Sequence, residues 1–360
     1  MKMCEAFQKS GIEVELIIPE RRKNSINTDP FLYYQVDHRF RIRKLYSLDW
    51  TRFGWSVFFI LQNVSFALSS LVFLIFQERK AVVYTRGDSA LLWPFFLFKK
   101  FPIFIETHFK SRKFRRHLRP LVRARGIVVV TKAYRRELTS AYHIPANKII
   151  WAPDGVDLAK FSAKGGSASG GQISNSKFQI RERLGIPQDK KIIVYTGTDL
   201  GWRGVETFKE AVRLLPQDWR VYFVGSVRPI DDLRAVFIGH KPPKEIPLWL
   251  SIADALVLCG TAKSEISLNY VSPLKLFEYL AAGRPIVAVD TPSHREILSE
   301  ENALLVKPDD PEALAKAIKT ALTDEALAEK IARNAATLAP QYSWDNRANR
   351  ISDFISSHIH

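Results

Sequence analysis

Residues 271–289 read VSPLKLFEYLAAGRPIVAV, and this stretch combines a helix start, a helix end and a buried strand. Ser272 is a good N-cap residue, and Pro273 suits the first helical position because its missing N–H and fixed φ cost nothing there. Gly283 is typical of the position just after a helix, and PIVAV from Pro285 predicts a strand buried on both faces. This order of elements indicates an α/β domain with a parallel sheet.

Similar runs occur on both sides of this stretch. AVVYTR, IFIET, GIVVVT and KIIWAP alternate with helical segments before the low-complexity stretch GGSASGG (Gly165–Gly171), and KIIVYTG, RVYFVG and ALVLC follow it. The pattern predicts two Rossmann-like, doubly wound α/β domains that face each other across a cleft at the carboxyl ends of their strands. We expect domains at 1–164 and 165–341, with a final helix at about 342–360 returning to the first.

The chain opens with a short helical segment and then the strand-like run GIEVELIIP. A domain of this type usually begins with a strand and a glycine-containing turn before that helix. We therefore expect the first strand of the N-terminal domain to be missing.

Charge is distributed unevenly along the chain. Residues 1–164 hold 29 Lys or Arg and 13 Asp or Glu, whereas the remainder holds 24 of each, so the whole excess of +16 lies in the N-terminal part. Eleven basic and no acidic residues lie between Thr107 and Arg136, which favours an anionic membrane surface as partner or a merely solvated basic face. No zinc-finger, helix-turn-helix or RNA-binding pattern is present, so nucleic acid is not an expected partner.

The segment Trp55–Phe76 holds 22 residues without a charge, enough to span a bilayer. Ser56, Asn63 and Ser70 recur at spacing seven, which places them on one side of a helix. This pattern favours a helix that is buried or lies along a membrane over one that crosses it. Only Cys4 and Cys259 are present and no signal peptide is visible, so we expect a reducing, cytoplasmic location, peripheral on the inner face of the plasma membrane.

The helix start at Ser272 is a candidate anion site. Free backbone N–H groups of Leu274 and Lys275, the helix dipole and the Lys275 ammonium suit a diphosphate. Glu278 lies about 7.5 Å further along the helix axis, the reach from a phosphate to its ribose, and can accept two hydroxyls. A simple cap and a solvated carboxylate would give the same local pattern, so the residues alone leave both interpretations open.

Several motifs in order carry a family resemblance: APDGVDLAKF, YTGTDLGWRGVETF, SPLKLFEYLAAGRPIV, ENALLVKPDDPEALAKAI and YSW. From Thr131 onward the chain resembles the retaining family-4 glycosyltransferases of the GT-B fold. The resemblance implies transfer of a sugar from a nucleotide-sugar to a sugar or lipid-linked acceptor, with retention at the anomeric carbon and without cofactor or metal.

The resemblance also implies roles for residues. Gly197 and Thr198 would approach the donor phosphates, with Ser272, Pro273 and Leu274 beside them, and Arg203 stands where the family usually has a lysine. Thr198 replaces an arginine and Tyr270 replaces the first of two glutamates, with Glu265 a less favoured substitute. His108 would face the transferred sugar. The set expected to act in catalysis is therefore His108, Arg203, Lys275 and Glu278.

Residues of the first domain are assigned to the acceptor side. Glu106 ends the predicted strand IFIET, and Arg86 and Asp88 follow the preceding one, so all three are expected at the same edge of the sheet. Two alternatives remain open from the sequence: a transferase-like binding module at the membrane that has lost activity, and a nucleotide-sugar epimerase of the same fold.

Overall fold

The computed structural model describes residues 1–21, 28–49, 56–77, 81–86, 101–108, 114–161 and 177–359. The chain forms two compact units. Unit 1 holds the residues up to Val130, Tyr134–Ala152 and those from Arg347 onward, and unit 2 holds Thr131–Ala133 and Pro153–Asn346. The predicted linker Gly165–Gly171 lies outside the described residues.

The boundary between the units falls earlier than the sequence predicts, at Ala152/Pro153 instead of 164/165. The reason is that the segment after Pro153 pairs with the end of unit 2: the Val156 amide donates to the Tyr342 carbonyl at 2.9 Å, and the Trp344 amide donates to the Val156 carbonyl at 3.2 Å. The C-terminal helix from Arg347 onward belongs to unit 1.

Twelve strands are present in the described part of the chain: β1 Glu15–Pro19, β2 Arg41–Leu45, β3 Val83–Arg86, β4 Ile103–Thr107, β5 Gly126–Val129, β6 Ile149–Trp151, β7 Ile192–Thr196, β8 Arg220–Val224, β9 Ala235–Gly239, β10 Ala255–Leu258, β11 Ile286–Val289 and β12 Leu304–Val306. The α-helices of the same ranges are α1 Lys2–Lys9, α2 Pro30–Tyr34, α3 Ser56–Ile75, α4 Phe114–Arg123, α5 Lys132–Ser140, α6 Leu158–Phe161, α7 Lys177–Arg183, α8 Val205–Val212, α9 Ile246–Ser251, α10 Leu274–Ala282, α11 Pro311–Thr323, α12 Glu325–Leu338 and α13 Trp344–Ile359.

Unit 2 is built on a six-stranded parallel sheet in the order β12-β11-β10-β7-β8-β9. Its strands are buried on both faces, as the continuous apolar runs predict. In β7, Ile192 and Val194 point into one hydrophobic cluster, while Ile193 and Tyr195 point into the other. Because the strand order reverses between β7 and β10, the sheet has a switch point where a ligand can bind at the carboxyl ends of the strands.

Unit 1 contains the parallel sheet β3-β4-β5-β6 and a separate parallel pair, β1 and β2. The C-terminal helix α13 packs on this sheet: the Phe354 ring lies 6.0 Å from the Phe104 ring in an edge-to-face contact. A Cβ on Gly126 would lie 2.6 Å from the Phe354 ring, so glycine at this position in β5 permits the close packing. The expected helix and strand at the start of the chain are present as α1 and β1.

The helix expected at Trp55–Phe76, either buried or lying along a membrane, is present as α3, and it is not a buried helix. Helix α3 buries Gln62, Ala67, Ser70 and Leu74, but most of its large apolar side chains are exposed. The polar groups at 62 and 70 therefore face the protein, whereas the apolar side faces outward. By length and composition alone, Val57–Ile75, with mean hydropathy 2.0, could cross a membrane, and it is the one such helix in the described ranges.

Candidate active site

The backbone after strand β7 comes close to the start of α10. Gly197 has φ +137°, and a Cβ there would lie 3.0 Å from Lys275 Nζ and 3.2 Å from the Tyr195 hydroxyl. On the neighbouring strand exit, Gly225 has φ +136°, and its Cβ would lie 1.8 Å from the Gly197 carbonyl oxygen. Both positions therefore require glycine, and the Gly197 backbone is left open to a ligand next to a cation.

Helix α10 begins differently from the prediction. Pro273, not Ser272, is the N-cap, and no side chain caps the helix. Ser272 does not cap because its hydroxyl accepts a hydrogen bond from the Asp154 amide at 3.1 Å, which ties the helix start to the segment that opens unit 2. The amides of Leu274 and Lys275 donate to no acceptor within the described ranges, so two helix N–H groups remain available to an anion.

Lys275 is buried beside this backbone. Its Nζ lies 3.9 Å from the centre of the Tyr195 ring, and no described residue accepts a hydrogen bond from it or forms an ion pair with it. Burial, with a smaller contribution from the Arg203 charge, lowers the pKa of Lys275 to about 7. An anion bound here would restore the charged form of the ammonium, so binding of a phosphate and protonation of Lys275 are coupled.

Arg203 brings a second cation to the site. It ends the short 3-10 turn Gly201–Arg203 with its guanidinium 4.7 Å from the centre of the Trp202 ring, and its Nε is buried without a hydrogen-bond partner. Gly204 (φ +69°) presses the turn onto the end of β10, since its Cβ would lie 2.1 Å from the Gly260 carbonyl oxygen.

Two further side chains near the loop after β7 differ in their hydrogen-bond partners. The Thr198 hydroxyl is buried without a partner, like the Arg203 Nε. Lys209, by contrast, is neutralised by Asp199, whose carboxylate lies 2.6 Å from Lys209 Nζ. Unpaired buried donors are costly, so Thr198, Arg203 and Lys275 together define a place for an anion that the described residues do not supply.

Glu278 lies one helical turn beyond Lys275 and is half-buried. Burial raises its pKa to about 7, although the Lys275 charge acts in the opposite direction. No described side chain or amide donates a hydrogen bond to its carboxylate. The group is therefore free to accept hydrogen bonds from hydroxyls of a ligand whose phosphates lie at Lys275.

Two tyrosines that were not predicted from the sequence position this site. The Tyr279 hydroxyl accepts a hydrogen bond from the Thr196 amide at 3.0 Å, and this contact joins α10 to the end of β7. Tyr195 supplies the ring beneath Lys275. The position of Tyr279 could have been predicted, because it directly follows Glu278 on a helix that was predicted from the sequence.

Tyr270 stands at the position where the resemblance predicts the first of two glutamates. A carboxylate, that of Glu265, still lies next to this position. Tyr270 closes a π-helical turn, Ile266–Tyr270, and its hydroxyl donates to Glu265 Oε1 at 3.0 Å. The exposed Glu265 is thus held by the residue that replaces the first glutamate.

His294 is a buried neutral histidine that the sequence analysis did not single out. Its Nδ1 lies 2.7 Å from the Val289 carbonyl oxygen, which makes Nδ1 the protonated nitrogen. Burial lowers its pKa to about 4. The sequence around a single histidine does not predict whether its side chain will be buried.

Unit 1 holds a polar cluster around the buried Glu106. Its carboxylate accepts hydrogen bonds from the Tyr84 hydroxyl and from Arg347 Nη2, the latter at 3.0 Å. His108 Nε2 lies 2.9 Å and Arg86 Nε 3.3 Å from Glu106 Oε1. Burial would raise the pKa of Glu106, but the hydrogen bond from His108 and the Arg347 charge hold it well below its usual range.

This cluster bears on the residues assigned to the acceptor side. The Glu106 carboxylate is enclosed by its four partners, so it orients Arg86 and His108, both of which are more accessible. Contact of these residues with an acceptor or sugar stays a prediction. Asp88 lies outside the described residues.

The site in unit 2 is suited to a diphosphate: two cations without a carboxylate partner, two free helix amides and an open glycine backbone. Among the described residues there is no group of three or more His, Cys, Asp or Glu that could hold a metal ion. Metal independence of the reaction stays a prediction.

The fold defines a class, that of α/β proteins built from two Rossmann-like units with parallel sheets. Residues 176–338 match the family model of glycosyl transferases group 1, and residues 1–160 match that of glycosyltransferase family 4. Each match covers a little under half of the chain, and together they span nearly the whole sequence, so both parts of the chain are similar to glycosyltransferases.

Curated relatives are similar at the level of a distant family. D-inositol 3-phosphate glycosyltransferase of Xylanimonas cellulosilytica is 26% identical over 244 residues, which cover 63% of this chain and 56% of the relative. The putative teichuronic acid biosynthesis glycosyltransferase TuaC of Bacillus subtilis is 24% identical over 217 residues, 59% of this chain and 51% of the relative. The chain thus spans about half the length of the curated relatives it matches.

Solved structures support the fold over nearly the full length. HepE of Anabaena in complex with UDP superposes with a TM-score of 0.73 at 15% identity and covers 99% of this chain and 96% of HepE. Sucrose-phosphate synthase of Thermosynechococcus elongatus superposes with a TM-score of 0.76 at 18% identity. The match covers 99% of this chain and 91% of the synthase. At these identities the similarity establishes the GT-B fold alone.

Proposed function

We propose that this chain transfers a sugar from a nucleotide-sugar donor to an acceptor with retention of the anomeric configuration. The observation that carries the proposal is a pair of cations without an acidic partner in the described part of the chain: Lys275, which lies next to the open Gly197 backbone, and Arg203, whose charge acts on Lys275. A nucleotide diphosphate supplies the charge that this arrangement lacks.

Each group has a role in the proposed reaction. The amides of Leu274 and Lys275, the ammonium and the Arg203 guanidinium hold the diphosphate, and Glu278 accepts the ribose hydroxyls. When the bond from the sugar C1 to the phosphate oxygen breaks, negative charge grows on the departing diphosphate. Donors that are already in place stabilise this charge without reorganising, which is the largest contribution that a protein makes in such a reaction.

We further propose that donor binding requires no metal ion. Lys275 and Arg203 neutralise the diphosphate in the role that a divalent cation would otherwise fill. Donor binding that is unchanged by a chelator supports this point, and binding that is abolished by the chelator and restored by Mg²⁺ contradicts it.

The acceptor is proposed to be a lipid-linked or polysaccharide precursor at the inner face of the plasma membrane. The basic N-terminal part supports an anionic surface as partner. The names of the relatives, one acting on an inositol phosphate and one assigned to teichuronic acid biosynthesis, fit polar acceptors of this kind. His108 is proposed to contact the transferred sugar, with Arg86 on the acceptor side.

The test begins with a thermal-shift screen of the purified chain against UDP-, GDP- and ADP-sugars, since a ligand that binds the native state raises its apparent stability. The stabilising donor is then incubated with lipid-phosphate acceptors, and the anomeric configuration of the product is read by NMR. A glycosylated acceptor with the donor's configuration supports the proposal. Stabilisation without transfer indicates a binding module, and a donor converted to its epimer indicates an epimerase.

A further inference from the structure

Helix α3 exposes a continuous apolar stripe. Val57, Ile60, Leu61, Val64, Leu68, Val72 and Ile75 are all exposed, with Ile60 and Val72 each at 56%. Their spacing of three and four residues places them on one side of the helix. The stripe runs for about 27 Å at 1.5 Å per residue and contains no charged side chain. An apolar face of this length on a water-exposed helix marks a site of interaction.

Side chains of α3 outside the stripe contact the rest of unit 1. The Ser65 hydroxyl accepts a hydrogen bond from the Leu48 amide at 2.9 Å, and the Arg43 guanidinium lies 4.8 Å from the centre of the Phe73 ring. Gln62 and Ser70 are buried. A helix that crosses a bilayer is surrounded by lipid or by other spanning segments, whereas α3 has one side occupied by strand β2 and its neighbours.

The segment next to α3 has the charge that an anionic surface attracts. Strand β2 contributes Arg41 and Lys44, which are exposed, and Tyr46 just beyond it is 63% exposed. Arg43 is paired with Glu15 at 2.6 Å, so among the described residues the cations of this strand without an acidic partner are Arg41 and Lys44. Exposed basic and aromatic side chains beside an apolar helix face are typical of proteins that lie at the lipid headgroup level.

We propose that α3 is the membrane-docking element of this protein and lies in the plane of an anionic bilayer. The stripe from Val57 to Ile75 enters the boundary between headgroups and acyl chains, and Arg41, on the same face of β2 as Arg43, contacts lipid phosphates. Unit 1 stays on the aqueous side because its contacts with α3 are kept. This inference rests on the proposed membrane-linked acceptor and names the surface that brings the enzyme to it.

The test is co-sedimentation of the purified chain with vesicles of phosphatidylcholine alone or mixed with phosphatidylglycerol. Wild-type protein binds the mixed vesicles, and salt weakens the binding. Leu68→Glu reduces the partition coefficient at least about tenfold, since it removes an apolar side chain from the bilayer and places a carboxylate there. Asn63→Glu adds the same charge at an exposed position of α3 outside the stripe and changes binding less than about twofold.

Several results would overturn the inference. If both variants lose vesicle binding equally, the added charge alone explains the loss. If Leu68→Glu binds vesicles like the wild type, α3 does not contact the membrane. Retention of the chain in cell membranes after an alkaline carbonate wash indicates a spanning helix instead of an in-plane one. Binding of the selected nucleotide-sugar by calorimetry shows that Leu68→Glu is folded. A wild type that binds vesicles but no nucleotide-sugar contradicts the proposed function and leaves this inference standing.

Discussion

Arg347 Nη2 lies 3.0 Å from Glu106 Oε2, and both side chains are almost completely buried. The two residues are far apart in sequence: Glu106 ends strand β4, and Arg347 belongs to the C-terminal helix α13. Arg347 also donates to the Ala152 carbonyl at 3.2 Å, next to the end of β6. The C-terminal helix thus completes the polar cluster that contains His108.

Arg347→Met should destabilise the protein by about 3–5 kcal/mol, because it leaves the Glu106 carboxylate buried without its cation. The pKa of Glu106 lies below its unfolded value, so its stabilising contribution is present above the unfolded pKa and is lost as pH falls toward the folded one. The variant should therefore lose less stability than the wild type when both are acidified. Urea denaturation at neutral and acidic pH measures both effects, and an equal loss on acidification contradicts the role of the pair. Arg350→Met, on the same helix, serves as control.

Gly225→Ala should destabilise unit 2 by at least about 2 kcal/mol, since its Cβ would overlap the Gly197 carbonyl and φ is +136°. Gly201→Ala is the matched control in a neighbouring loop, because nothing lies within 4 Å of its Cβ and its φ is not positive. We expect a change of less than about 1 kcal/mol for the control. Thermal denaturation distinguishes them, and similar losses would contradict the close approach of the two strand exits.

Lys275→Met should stabilise the unliganded protein while it abolishes donor binding. The folded pKa of Lys275, about 7, lies below that of the unfolded chain, so the unfolded state binds more protons between that value and about 10.5. Stability of the wild type consequently rises with pH across this window, and the variant lacks the rise. Chemical denaturation from pH 7 to 9 tests this, and a variant that is less stable throughout would show that Lys275 is a structural cation.

Donor affinity should follow a bell-shaped pH dependence with both limbs near pH 7. Glu278, with a pKa of about 7, must be ionised to accept ribose hydroxyls, and Lys275 must be protonated to hold the diphosphate. Glu278→Gln should remove the acid limb and keep the alkaline limb, because this variant retains Lys275. Calorimetric titrations across this range are the measurement. If the donor affinity of the wild type does not depend on pH, neither Glu278 nor Lys275 contacts the donor.

Glu278→Ala should weaken nucleotide-sugar binding by about tenfold to a hundredfold, the loss of one or two hydrogen bonds to a charged acceptor. Glu312→Ala, an exposed carboxylate at the start of α11, should leave affinity unchanged. If the two variants bind the donor equally well by calorimetry, Glu278 does not hold the ribose.

The fold was predictable where a short stretch of sequence by itself indicates its secondary structure. Continuous apolar runs such as Ile192–Thr196 identified most strands of the two sheets, because a strand buried on both faces needs no partner to be recognised. Three strands were not predicted: β2 carries three basic residues, β12 has only three residues, and β9 is an edge strand that is only partly buried. The candidate site was predicted from Lys275 and Glu278, whose spacing on one helix follows from the helical period.

The sequence by itself determined two parallel α/β units, a resemblance to glycosyltransferases, and a helix start rich in free donors. Only the tertiary structure decided that Ser272 bonds to Asp154 instead of capping α10, that Arg347 neutralises Glu106, and that α3 turns its apolar side outward. The physical reason is the same in each case. Periodicity and capping act over a few residues, whereas the partner of a buried polar group and the burial of a helix face depend on residues brought together by folding.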